Sequence, residues 1–188
     1  MSQIFVSGHK SPDTDSIAAA LSYSYLKRRL GMDAVAVSAG EINKESRFAL
    51  DYFNLEEPML VTSVARKNPE DEKQKVILVD HNESKQTIDG MDDAEVLEII
   101  DHHRFGDFES ENPIFILVRP VGCVNTVIYG LYKANHIKPS REIAGIMLSA
   151  IISDTVSVRR QRQKKIKKRR KNWLKLREWI MRLMVWKC

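Results

Sequence analysis

Four short segments of the sequence carry histidine and aspartate side chains that could bind divalent metal ions. They hold His9, Asp13 and Asp15; Asp80; Asp101, His102 and His103; and Asp154. One Asp-His-His triplet alone means little, whereas four such segments in one small domain favour a shared site. Carboxylate oxygens together with imidazole nitrogens suit Mn²⁺, Co²⁺, Fe²⁺ or Zn²⁺ better than Ca²⁺. The sequence therefore predicts a site for transition-metal ions.

A site with several carboxylates could hold two ions, with one carboxylate shared between them. A carboxylate shared by two ions would hold them roughly 3.5–4 Å apart, which is the spacing of two-metal hydrolases. Such a pair lowers the pKa of a bound water towards neutrality and screens the charge of a phosphate electrophile. This chemistry is typical of a phosphohydrolase.

An α/β pattern over residues 1–157 would supply the scaffold for these segments. Short apolar runs predict five strands at residues 4–6, 34–37, 76–79, 96–100 and 114–118. The remaining pattern predicts helices at residues 16–30, 44–53, 125–134 and 141–153. Continuously apolar strands that alternate with helices indicate a parallel β-sheet with helices on both faces.

The predicted strands place the metal-binding candidates at one edge of this sheet. His9, Asp80 and Asp101 each follow the end of a strand, where open parallel sheets bind their ligands. Asp15 has an alternative role as a cap of the following helix. Asp154 would end the helix at 141–153, where a carboxylate opposes the helix dipole unless a cation lies nearby. We therefore expect Asp154 to be a metal ligand.

Three neighbouring residues have other expected roles. Asp101 is suited to orienting a histidine rather than binding metal. His103 would point away from His102 in an extended segment, so we expect it to contact substrate as a phosphate donor or general acid. Its alternative role is structural. Cys123 is expected to be a small buried side chain rather than a nucleophile.

Five motifs in this order resemble those of a known family. They are GHKSPDTDS at 8–16, VDHN at 79–82, DHHR at 101–104, PVGC at 120–123 and SAIISDT at 149–155. Together they resemble the family II, manganese-dependent inorganic pyrophosphatases of the DHH phosphoesterase superfamily. The resemblance runs from residue 2 to about residue 157, and the PDTD and VDHN motifs favour pyrophosphatases over the nuclease and exopolyphosphatase branches.

The resemblance implies a ligand set and a reaction. Six side chains would bind two Mn²⁺ ions: His9, Asp13 and Asp80 the first, and Asp15, Asp80, His102 and Asp154 the second. Asp80 would bridge the ions, for which Co²⁺ or Mg²⁺ are possible substitutes. His103 would contact inorganic pyrophosphate, and a water between the ions would attack phosphorus to give two orthophosphates. Other DHH substrates, namely polyphosphate, oligonucleotides and cyclic dinucleotides, are the alternative.

Composition narrows the class of protein further. No apolar run reaches the roughly 18 to 20 residues of a membrane span, and the N-terminus lacks the features of a signal peptide. Two cysteines give no disulfide framework. Outside residues 158–188 the net charge is −8, which argues against a nucleic-acid partner. We expect a cytoplasmic protein without a membrane partner, with a homodimer as one expected assembly.

Residues 158–188 follow a different composition. They hold 14 of the 30 Lys and Arg residues, one acidic residue and all three tryptophans, for a net charge of +13. The family has a second domain here, so we expect a chain without that domain to bind metal but to turn over pyrophosphate weakly or not at all. We also expect the segment to be disordered. One interpretation is an arm that binds nucleic acid or membrane.

A second interpretation is a displaced reading frame. Tryptophan and methionine each have a single codon. When the third base of each codon is read together with the first two bases of the next codon, four residues of the shifted frame are therefore fixed. These are Leu at 172/173, Asp at 179/180, Gly at 184/185 and Glu at 186/187. The unforced positions permit LAEIAGMD and, further on, YGLEM, and residues 158–163 permit SPTAT. All three strings resemble the family, so we hypothesise that the frame is displaced from about Val158 onward.

We expect the gene, sequenced again from the codon of Asp154 to the stop, to continue in the shifted frame into SPTAT and a second domain. Peptide mapping of protein from the native source gives an independent reading. Peptides that contain Trp173 and Trp179 would contradict a sequencing error. The basic segment would then need a nucleic-acid binding assay, in which a functional arm shows affinity that falls steeply with salt.

Overall fold

The structure, a computed structural model, describes residues 3–162, and the side chains of residues 3–155. It contains six strands: β1 (Ile4–Ser7), β2 (Ala34–Ser38), β3 (Met59–Leu60), β4 (Lys75–Val79), β5 (Glu95–Asp101) and β6 (Phe115–Val118). It contains four α-helices: α1 (Thr14–Arg29), α2 (Lys44–Tyr52), α3 (Val124–Ala134) and α4 (Arg141–Arg162). Most of the basic segment lies outside the described residues, and so do the predictions made for it.

The six strands form one sheet in the order β3-β2-β1-β4-β5-β6, and all neighbours pair in parallel. The strand order reverses between β1 and β4, which leaves a crevice outside their carboxyl ends. This architecture confirms the predicted α/β class. The sequence pattern did not predict β3, because it has only two residues and both are exposed.

Both faces of the sheet are buried, because successive apolar side chains of a strand point to opposite faces. In β4, Ile77 and Val79 pack in a core with α1, α3 and α4, whereas Val76 and Leu78 pack in a second core on the opposite face. Such alternation is the two-residue period of a strand. Among the described residues, the second face is covered by connecting segments that include the 3₁₀ helix Met91–Asp93 rather than by α-helices. The predicted α/β class therefore holds, but the prediction of helices on both faces is wrong, since the α-helices pack on one face.

Helix α1 lies at the centre of the helical layer. Its three consecutive alanines, Ala18, Ala19 and Ala20, are all fully buried. Ala19 and Ala20 contact the sheet core, while Ala18 packs in a third cluster with α2 and α4. Small side chains let the backbones of several elements approach α1 closely. The helix is therefore fixed from several sides, and so are the residues at its N-terminus.

The ends of two helices differ from the prediction. Helix α1 begins at Thr14, and its cap is Asp13, whose carboxylate accepts a hydrogen bond from the Ser16 backbone N–H. The alternative role of Asp15 as a cap is therefore wrong. Helix α4 continues to Arg162, since neither glycine nor proline interrupts it after residue 153. The helix-end argument for Asp154 is therefore wrong as well. Neither α4 nor any other described helix is long and apolar enough to cross a membrane.

Candidate metal centre

The sheet brings all of the sequence-predicted ligands to one place, outside the carboxyl ends of β1, β4 and β5. Asp80 directly follows β4, Asp101 is the last residue of β5, and His9 lies two residues after β1. Three groups of side chains have possible ligand atoms within 4.8 Å of one another: Asp80, His102 and His103; His9, Asp13 and Asp80; and Asp15, Cys123 and Asp154. His102 joins the first and third groups, because its Nε2 lies 3.6 Å from Asp15 Oδ2.

Asp80 is the centre of this cluster. Its carboxylate is buried, and its two oxygens face different histidines: Oδ1 lies 3.1 Å from His102 Nε2, and Oδ2 lies 3.5 Å from His9 Nε2. The Asp80 backbone has a φ of 65°, in the left-handed region that aspartate tolerates better than most residues. The chain thus turns directly after β4, at the point where the strand order reverses. A carboxylate in this position can bridge two ions.

A close contact between β1 and α1 positions His9. A Cβ atom at Gly8 would lie 1.8 Å from Ser16 Oγ, so no larger residue fits between the strand end and the helix. The same Ser16 hydroxyl accepts a hydrogen bond of 3.0 Å from the His9 backbone N–H. As a result, the His9 ring lies beside both Asp80 and Asp13, at 3.9 Å from Asp13 Oδ1.

Asp101 organises the two histidines that follow it. Its Oδ1 accepts hydrogen bonds from the backbone N–H groups of His102 and His103 and lies 2.9 Å from His103 Nδ1. These bonds turn the chain out of an extended conformation. The prediction that His103 points away from His102 is therefore wrong, since their ring centroids lie 4.1 Å apart on the same side. His102 Nδ1 pairs with the Val121 carbonyl at 2.9 Å, which directs Nε2 towards Asp80.

Asp15 is buried and points towards the first turn of α3. It accepts hydrogen bonds from the Cys123 thiol, at 2.9 Å, and from the Val124 backbone N–H, at 2.7 Å. It also accepts one from the Asn125 side-chain amide, at 2.6 Å. Sequence reasoning assigned Cys123 correctly as buried but missed its contact with Asp15, and it missed Asn125 entirely. The available signal was a polar residue in the first turn of an otherwise apolar helix.

Crowded charges shift the pKa values of these groups. Burial, followed by the nearby Asp15 carboxylate, raises the pKa of Asp154 to about 9. Burial also raises the pKa of Asp80, although hydrogen bonds from His102 and His9 oppose the shift. Burial disfavours a charged His102, yet its hydrogen bonds, first of all to Asp80, raise its pKa to about 9. Divalent cations would neutralise these carboxylates, so the donor set fits transition-metal ions.

A small cavity opens beside the cluster. It has a volume of about 270 Å³, and its lining includes the ligand candidates His9 and Asp80 together with His103 and Arg104. The Arg104 guanidinium is exposed and pairs with Glu83 at 2.9 Å. A larger cavity of about 600 Å³ lies between the segments 84–97 and 107–114, and none of the predicted ligands lines it. The smaller cavity is therefore the candidate substrate site.

The fold and the cluster together define an α/β domain with a candidate two-metal site at the switch point of a parallel sheet. The chain belongs to the DHH family: the model of the N-terminal domain of that family matches residues 3–151.

Curated relatives and a solved structure give closer similarities. The chain is 50% identical over 156 residues to a probable manganese-dependent inorganic pyrophosphatase of Bacillus licheniformis, and 48% identical over 156 residues to one of Exiguobacterium sp.. Each match covers 83% of this chain and 49% of the relative. A Methanococcus jannaschii structure assigned as a family II inorganic pyrophosphatase matches with a TM-score of 0.71 and 38% identity, over 82% of this chain and 49% of that one. The chain thus spans about half the length of the curated relatives it matches.

A more distant structure shows the fold alone. An exopolyphosphatase-related protein from Bacteroides fragilis matches with a TM-score of 0.61 and 16% identity, over 98% of this chain and 56% of that chain. Its identity is too low to carry an argument about substrate.

We expect Mn²⁺ binding to release protons and to tighten as the pH rises towards about 9. With pKa values of about 9, Asp154 and His102 hold protons at neutral pH that a metal ion must displace. At pH values below that pKa, each displaced proton makes the affinity for Mn²⁺ rise about tenfold per pH unit. Calorimetric titrations in buffers of different ionisation enthalpy count the protons released.

The variant Asp154→Asn tests the assignment of one of these protons. We expect it to release about one proton fewer per chain on metal loading. Asp51→Asn is the matched control, since Asp51 is exposed on α2, outside the three candidate ligand groups. An unchanged proton count in Asp154→Asn would show that Asp154 does not hold the displaced proton.

Proposed function

We propose that this chain is the metal-binding half of a manganese-dependent inorganic pyrophosphatase, which hydrolyses pyrophosphate to two orthophosphates. The observation that carries the proposal is the geometry of Asp80, whose two oxygens face His9 on one side and His102 on the other. The names of the relatives from Bacillus licheniformis and Exiguobacterium sp. support both the metal and the reaction.

The ligand groups divide around Asp80 as two ions would require. His9 and Asp13 would complete the site of the first ion, and Asp15, His102 and Asp154 the site of the second. When bound, such a pair of ions lowers the pKa of a water and screens the charge on phosphorus. The contribution of the chain is to hold the donors in place: Gly8 and Ser16 fix His9, and the Val121 carbonyl fixes the ring of His102.

His103 is suited to binding the substrate. Its side chain is 53% exposed, so it can reach an anion in the small cavity, which it also lines. The hydrogen bond that the His103 ring donates to the Asp101 carboxylate raises the pKa of His103 and therefore favours the protonated ring. A protonated imidazole can donate to a phosphate oxygen and can supply a proton to the departing phosphate.

The small cavity favours a small anion as substrate. Pockets that enclose ligands of drug size measure roughly 300–1,000 Å³, and this one measures about 270 Å³. Polyphosphate, an oligonucleotide or a cyclic dinucleotide would have to extend beyond it. These substrates of other DHH phosphoesterases remain the alternative outcome of an assay.

We expect the chain to hydrolyse pyrophosphate faster than polyphosphate, oligonucleotides or cyclic dinucleotides in the presence of Mn²⁺, even where turnover is weak. Phosphate release from all four substrates, measured side by side, tests this. Binding of imidodiphosphate, a slowly hydrolysed analogue, gives a second readout that needs no turnover. His103→Gln should lower the rate by roughly 10²- to 10⁴-fold and weaken binding of the analogue, because it removes a charged donor. Asp51→Asn should change neither. Faster turnover of a dinucleotide or polyphosphate than of pyrophosphate would replace this proposal with the alternative.

We also propose that the chain forms a homodimer through β6. This strand is one edge of the sheet, and its Phe115 and Ile116 side chains are about half exposed. An apolar edge strand is a template for pairing with another strand. A second copy presents the same edge, so a two-fold contact would pair β6 with β6 and cover the exposed side chains.

We expect Ile116→Lys to convert the dimer into a monomer, because the charge would be buried in the contact between the two edges. Light scattering coupled to size-exclusion chromatography measures the mass directly. Leu60→Lys is the matched control, since Leu60 is also exposed but lies in β3 at the opposite edge. A monomeric wild-type chain, or equal effects of the two variants, would contradict a dimer through β6.

Two expectations from the sequence stay predictions. The cytoplasmic location is one of them. The other is the role or origin of the basic segment, since residues 163–188 lie outside the described structure.

A further inference from the structure

The second half of the proposed metal centre is supported by a chain of buried hydrogen bonds that runs between α1 and α3. It begins at Asp15, whose carboxylate accepts a hydrogen bond of 2.6 Å from Asn125 Nδ2. The same amide nitrogen donates to the Asp15 backbone carbonyl at 3.1 Å. One side chain of α3 therefore holds both the carboxylate and the backbone of this residue of α1.

The Asn125 amide is itself oriented by a second residue of α1. Both donors of Nδ2 are used on Asp15, so Oδ1 faces the opposite way, where the Ser22 hydroxyl donates to it at 2.9 Å. A flip of the amide would break both bonds to Asp15 and place the amide oxygen against its carboxylate. The Ser22 carbonyl in turn accepts a hydrogen bond of 2.6 Å from Tyr132 on α3, which fixes this part of α1.

The whole chain of contacts is shielded from water. Ser22, Asn125 and Tyr132 are each 0% exposed, and Asp15 is 1% exposed. Hydrogen bonds between such groups have no competing solvent, so they hold the carboxylate in one orientation. In metal sites, groups that hold a ligand from behind commonly change metal affinity by about 10- to 100-fold when they are removed.

We propose that Ser22 and Asn125 are positioning residues that preset the Asp15 carboxylate for the second metal ion and thereby set the affinity of that ion. They act through Asp15 and do not touch His9 or Asp13, so the first ion is unaffected. This inference rests on the two-ion site proposed above. The rival explanation is a purely structural link between α1 and α3, which would change stability but not the relative affinity of the two ions.

The test compares Ser22→Ala with Ser24→Ala in the full 188-residue chain. Ser24 lies on the same helix and is equally buried, but its hydroxyl donates to the Leu21 carbonyl of its own helix. Two readouts are needed. The first is the affinity of each Mn²⁺ ion, from titrations followed by calorimetry and by the electron paramagnetic resonance signal of free Mn²⁺. The second is thermal unfolding without metal. Asn125→Leu, which has a similar shape but no donor, is a second and more severe variant.

We expect Ser22→Ala to weaken the second Mn²⁺ by about tenfold and Asn125→Leu by up to about 100-fold, with the first Mn²⁺ unchanged. Ser24→Ala should leave both ions unchanged. Equal metal affinities in Ser22→Ala and Ser24→Ala would overturn the inference and leave a structural link, as would equal weakening of both ions. A wild-type chain that binds no second Mn²⁺ would overturn the proposed two-ion site itself, and the inference with it.

Discussion

The structure depends on holding several buried carboxylates close together at one edge of the sheet, where they repel one another. Asp80 and Asp15 are almost fully buried, and Asp154 lies close to Asp15. Like charges at such distances repel strongly where water is excluded. The fold offsets this repulsion with imidazoles and with donors at the start of α3, yet burial and the nearby Asp15 carboxylate still raise the pKa of Asp154. Divalent cations would complete the neutralisation of these carboxylates, so a cluster that is costly for the fold is well suited to bind metal.

Sheet topology explains why the carboxylates meet there. The reversal of strand order between β1 and β4 sends the chain to opposite sides and opens a crevice at their carboxyl ends. Asp80 enters that crevice directly from β4 through a left-handed backbone conformation. Close packing of Gly8 against Ser16 brings α1 to the same point. Placement of the site is therefore a property of the strand order, while its charge comes from individual side chains.

Helix α1 connects the two halves of the proposed metal centre. Its cap, Asp13, lies on the side of His9, whereas Asp15, two residues further on, points into the core towards α3. The buried alanines hold α1, and with it these two residues, in place, although none of the alanines is itself a candidate ligand.

Local patterns in the sequence determined the identity of the donors, the apolar strands and the edge of the sheet where His9, Asp80 and Asp101 lie. These features could be predicted because they depend on residue types and on spacing within short segments. Tertiary structure alone decided the direction of the His102 ring, which pairs with the Val121 carbonyl, and the contact of Asn125 with Asp15. These contacts join residues that are 19 and 110 positions apart. Such contacts arise from the packing of distant segments, which no local pattern encodes.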